Sequence, residues 1–246
     1  MGGLARRATV LHQWQTNKQV FALAGAYELS RPGEKASASS LAVFGQVFSE
    51  LDYDVLALSS TEADQLRHAN PDHSSESLPS HWLQFSSKAN SAVFTHQGLR
   101  IGLILFPESG PGQSPQENAQ FEDIERTVQD LKPRCDLTIG LSPWGRFGEQ
   151  KFLASRAAKP DILLGSGPGS AVSGKLSSSN QTLWIRPYSM GQAVSVITIP
   201  NPQDKEWIRG WDIEANVHLE FVALDDTVPS DQHIEELITS GSRNQE

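Results

Sequence analysis

The chain has 246 residues, 38% of them hydrophobic and 20% charged, a balance that excludes a disordered chain or a fibre. Its formal charge of −9 argues against a nucleic-acid binder that tracks the phosphate backbone, a role that needs clustered Lys and Arg. The single cysteine, Cys135, excludes an internal disulfide framework and any zinc site built on several thiolates.

Leu4, Leu11 and Trp14 fall near one helical face and predict an amphipathic helix over residues 3–17. The amino terminus shows no basic stretch followed by an apolar core and a small-residue cleavage site, so no secretory signal is read there. No apolar run approaches the roughly 18 residues of a membrane span. Residues 20–24 read as a buried strand stopped by Gly25. Leu41, Val43, Phe44, Val47, Phe48 and Leu51 recur at helical spacing, predicting a core-facing helix over 38–51. A strand is expected at 54–58, then a long polar surface loop over 65–90. Residues 91–95 and 99–106 predict a hairpin around Gln97-Gly98, followed by a loop over 107–117. Phe121, Ile124, Val128 and Leu131 mark a helix ending before Pro133.

A strand at 136–141, a helix at 149–157 and a strand at 161–165 continue the alternation. From residue 182 the pattern is β only: 183–186, 193–199 and a long run over 211–224, with a last short helix at 230–238. Strand–helix alternation followed by consecutive strands predicts a layered α/β domain with two sheets, one largely parallel and one antiparallel. No linker interrupts the pattern, so a single domain over residues 1–240 with a polar tail over 241–246 is expected.

The chemistry of an α/β protein usually sits on the polar loops that follow its strands. Four such loops stand out: Leu23-Ala24-Gly25-Ala26, Leu58-Ser59-Ser60-Thr61-Glu62, Leu141-Ser142-Pro143-Trp144-Gly145 and Leu164-Gly165-Ser166-Gly167-Pro168-Gly169. With their flanks, Gly2-Gly3-Leu4-Ala5-Arg6-Arg7-Ala8-Thr9, residues 51–58, 135–142 and 159–165, they resemble the 5′-nucleotidase branch of the calcineurin-like metallophosphoesterases. The resemblance covers about residues 2–240. It implies a four-layer αββα sandwich of two mixed sheets, with the family's first strand, which carries a DxH pair, missing before Gly2. It also implies a bacterial, periplasmic or extracellular setting.

The family uses two metal ions, bridged by a carboxylate, to orient a phosphate ester and generate a hydroxide nucleophile. Carried over position by position, the bridging Asp falls on Ala26. The Asn and catalytic His of the GNHE motif fall on Ser60 and Thr61, with Glu62 retained and Asp64 just beyond. The His of the LSH motif falls on Pro143, and the two His of GGHTH fall on Gly167 and Gly169. A methyl group, a pyrrolidine ring and a bare Cα carry no donor for a metal. The resemblance therefore implies a degenerate former site: no metal, no cofactor and no catalytic residue. Glu62 and Asp64 are expected to cap a helix or pair at the surface.

The expected function is that of a non-catalytic, metallophosphoesterase-like subunit, a pseudoenzyme whose partner is another protein. The alternatives are a metal-dependent phosphoesterase acting on nucleotides and a small-ligand binder using the vacated site. Gly169 to Leu176 nearly spells a phosphate-binding loop, but Leu176 replaces the hydroxyl that would hold magnesium. His68, Asp72 and His73 form a histidine-rich stretch within the expected 65–90 loop.

Overall fold

The computed structural model describes residues 3–16, 20–29, 38–69, 78–108, 117–188 and 191–243. Most of the loop expected at 107–117, and the Asp72 and His73 part of the histidine stretch, lie outside these residues. The chain divides into two units. One comprises Met1–Gln84, Ser189–Val194 and Ala223–Glu246; the other comprises Phe85–Tyr188 and Ser195–Val222.

In the first unit, α1 (Leu4–Gln15) turns Ala5, Ala8 and Leu11 inward, and α2 (Ala38–Glu50) does the same with Leu41, Val47 and Phe48. Between and after them lie β1 (Leu23–Ala24) and β2 (Val55–Leu58). Every residue of β2 is buried, as expected of a strand covered on both faces. Residues expected to be loop form α3 (Ser60–Ala69) and β3 (Trp82–Gln84) instead. Helix α3 is hard to read in sequence because it buries only Glu62, Ala63 and Leu66 and is otherwise polar. The three strands form a parallel sheet in the order β1-β2-β3, with β1 at one edge. The carboxy-terminal α6 (Gln232–Arg243) runs past the expected end at 238 and packs Ile234 into the same core.

The second unit opens with the expected hairpin, β4 (Asn90–His96) and β5 (Leu99–Leu105), paired in unbroken register from Asn90↔Leu105 to His96↔Leu99. Gln97 and Gly98 both have positive φ (50° and 79°), the two-residue turn whose twist matches the strands. Helix α4 (Glu117–Leu131), β6 (Leu137–Ser142), α5 (Gly145–Ala154) and β7 (Ile162–Gly165) follow. Then come β8 (Val172–Leu176) and β9 (Leu183–Arg186). Strand β8 is absent from the sequence expectation, and it rules out the phosphate-loop reading, which needs a helix there.

The six strands order as β4-β5-β6-β7-β9-β8, with β5, β6, β7 and β9 parallel and both edges antiparallel. The strand expected at 183–186 thus joins the parallel centre of this sheet, and it is buried throughout. A third sheet pairs β10 (Ala193–Thr198) with β11 (His218–Ala223). The long β run expected over 211–224 is broken. Asp212 and the residues after it make a tight turn, in which the Asp212 carbonyl accepts from the amides of Ala215, Asn216 and Val217.

Candidate functional site

At the carboxy end of the sheet in the first unit, Ser59 and Glu62 cap α3 reciprocally. The Ser59 amide donates to Glu62 Oε2 at 2.9 Å, and the Glu62 amide donates to Ser59 Oγ at 3.2 Å. The same carboxylate gathers the loop after β1: Tyr27 N donates to Oε2 at 3.0 Å and Leu29 N to Oε1 at 2.9 Å. The Ser59 hydroxyl adds a fourth bond of 2.7 Å. Glu62 is fully buried. Burial raises its pKa, and the amides of Leu29, Ser59 and Tyr27 oppose that shift by stabilising the charged form. Ala26 is buried in the loop this carboxylate holds, Ser60 is half-buried and Thr61 is exposed. Asp64 points outward and pairs with Arg67 at 2.9 Å.

In the second unit the strand ends are held by a buried ion pair. Glu149, on the inner face of α5, pairs with Nη1 of Arg186, the last residue of β9. Trp184 Nε1 donates to the other carboxylate oxygen at 2.8 Å. Burial raises the Glu149 pKa; Arg186, then Trp184 and Ser142, pull it back. The guanidinium reaches on into the loop after β7. It donates to the carbonyls of Ser166 at 3.1 Å, Gly167 at 2.9 Å, Pro168 at 3.2 Å and Ser170 at 3.4 Å.

The same loop also caps α5: Gly145 N donates to the Ser166 carbonyl at 3.2 Å and Arg146 N to that of Pro168 at 3.0 Å. Two features that could attract an anion, a helix amino terminus and an arginine, are thus already occupied by one loop's carbonyls. Gly165 lies so close to the pair that a Cβ there would come within 2.6 Å of Arg186 Nη1 and overlap the Glu149 carboxylate.

The fold therefore places Ala26, Ser60, Thr61 and Glu62 together in one unit, and Pro143, Gly167 and Gly169 together in the other. Pro143 is buried, Gly167 half-buried and Gly169 exposed. Four of these seven positions offer no side-chain donor, two offer a hydroxyl, and the Glu62 carboxylate is engaged by N–H and O–H donors. Among the described residues no three His, Cys, Asp or Glu side chains gather as potential metal ligands. Sequence reading missed the Glu149–Arg186 pair. Its only signals were an arginine ending an apolar strand and a glutamate three residues before the buried Phe152 on one helical face.

Over 99% of its length the chain matches the structure of a 5′-nucleotidase precursor from Thermus thermophilus, with a TM-score of 0.64 at 15% identity. The fold is similar to that of the 5′-nucleotidases, the metallophosphoesterase fold. The NAD nucleotidase of Haemophilus influenzae matches over 99% of this chain (TM-score 0.62, 11% identity). A 5′-nucleotidase from Candida albicans matches over 98% (TM-score 0.56, 12% identity). The chain spans about half the length of these proteins: 53%, 54% and 52% of each, respectively. No protein-family model and no curated protein matches the sequence. No helix among the described residues is long and apolar enough to cross a membrane.

Proposed function

We propose that this nucleotidase-like chain is a non-catalytic scaffold that acts by binding another protein. The observation that carries the reading is the set of side chains at the matched positions: Ala26, Pro143, Gly167 and Gly169 offer no donor atom, and Ser60 and Thr61 offer only a hydroxyl. Imidazoles and a bridging carboxylate, which a dimetal centre needs, are not among them. Glu62, the acid retained in the matched GNHE motif, caps α3 and holds the β1 loop.

The test is metal analysis of purified protein together with hydrolysis of a nucleoside monophosphate and p-nitrophenyl phosphate in added Mn²⁺ or Zn²⁺. No stoichiometric metal and no turnover is the expected result. Stoichiometric metal with turnover would replace this reading by that of an active phosphoesterase.

A further inference from the structure

We propose that the partner docks on the strand-end rim of the second unit, centred on Phe147 and Arg146, and that it offers an acidic protein surface. The inference rests on the reading of the chain as a binding scaffold and deepens it. Strands β6, β7 and β9 are neighbours and parallel, so their carboxy ends share one edge of the sheet. Phe147 follows β6 and is 83% exposed; Tyr188 follows β9 and is 44% exposed. Pro168, in the loop after β7, and Pro187 are exposed between them. Two of the four large hydrophobic side chains exposed among the described residues thus stand on this edge. Aromatic residues beside an arginine are the composition that carries most binding energy at protein interfaces.

The charge on the rim selects the partner's chemistry. The first turn of α5 holds no acidic residue, and its Glu149 is buried against Arg186. Arg146 forms no ion pair with a described residue, and its Cβ lies against Gly169. A carboxylate matches the guanidinium fork of Arg146. A nucleotide is disfavoured because the α5 amides that would hold its phosphate already bond the carbonyls of Ser166 and Pro168.

The experiment places the photo-crosslinker benzoylphenylalanine at position 147 of the full chain in its native cells. A control chain carries it at Ile208, which is 63% exposed on another surface turn of the same unit. The proposal requires an intermolecular adduct at 147 that is absent at 208. The crosslinked protein, purified separately, should then bind the wild-type chain and bind Phe147→Ala and Arg146→Glu at least about tenfold more weakly. Both variants should keep the wild-type melting temperature.

An adduct equally strong at 208, no adduct, an adduct within the same polypeptide, or undiminished binding to Arg146→Glu would each overturn it. Loss of the adduct when a nucleotide is added would do the same. Metal-dependent phosphatase activity of the same preparation would retire the non-catalytic reading itself. Absence of both adduct and activity would retire only the docking face.

Discussion

Replacing Arg186 by methionine tests whether the Glu149–Arg186 pair holds the second unit's strand ends together. The guanidinium is 3% exposed and the carboxylate fully buried, so little water can take the arginine's place. Removing one member of such a pair leaves an uncompensated buried charge, a cost of about 3–5 kcal/mol. The loop carbonyls add less, since Pro168 and Ser170 are exposed and water can serve them. Glu149→Leu should cost somewhat less, about 2–3 kcal/mol, because the stranded guanidinium keeps the carbonyls of Ser166, Gly167, Pro168 and Ser170. The double variant should cost less than the sum of the singles by about 2 kcal/mol, measured by urea unfolding followed by circular dichroism.

The pH dependence adds an independent check. Burial raises the Glu149 carboxyl above its unfolded value, and Arg186 is the first cause that opposes this. Loss of the arginine therefore raises it further. A carboxyl raised in the folded state contributes stability fully below its unfolded pKa of about 4.3 and loses that contribution as pH rises through the folded value. The Arg186→Met deficit should then shrink between pH 8 and pH 5. A deficit below about 1 kcal/mol, an additive double variant, or a deficit that grows toward acid would refute the assignment.

Gly165→Ala should cost about 2–3 kcal/mol by the same urea assay, because its methyl would press into both members of the pair; a neutral result would mean the sheet yields there easily. Glu62→Gln should cost about 2–4 kcal/mol, since an amide turns donors toward the N–H groups of Tyr27, Leu29 and Ser59 that the carboxylate now receives. A variant as stable as wild type would show that Glu62 does not hold the β1 loop. Burial pushes the Tyr53 phenol up to about 12; Arg7, 3.2 Å from its hydroxyl, opposes the shift and Glu28 adds to it. Ultraviolet titration of wild type minus Tyr53→Phe should show the missing ionisation near that value, and one near 10 would contradict the burial of this ring.

Most of the fold was legible because its strands and core helices carry unmistakable periods. β6 is apolar enough to be buried from end to end, and the Gln97-Gly98 turn announces its hairpin. Helix α3 was missed because its evidence lies in a cap, Ser59 with Glu62 three residues on, rather than in an apolar stripe. The parallel placement of β9 depends on which strand it lies beside, and a run of three apolar residues ending in arginine says nothing of its neighbour. The candidate site was legible only through the resemblance, as positions on four strand-end loops. That Ala26 sits with Glu62, and Gly167 with Arg186, follows from strand order. The Glu149–Arg186 contact spans 37 residues and has no local signature.

A catalytic site keeps donors, acceptors and charges incompletely satisfied until its substrate arrives, which is why active sites so often cost their folds stability. Here the fold's own groups bind the charged side chains at the strand ends of each unit. Glu62 exchanges bonds with the loop and helix beside it, and the carbonyls after β7 close on both the Arg186 guanidinium and the α5 amino terminus. On the non-catalytic reading proposed above, placing imidazoles at Pro143, Gly167 and Gly169 would not be enough to supply the chemistry. The carbonyls that now face Arg186 would also have to turn away, at the cost of the contacts that hold the loop. Phe147 stands exposed outside these networks, beside Arg146. If the proposed reading holds, an exposed aromatic side chain next to a guanidinium is what a docking face at the strand ends would present.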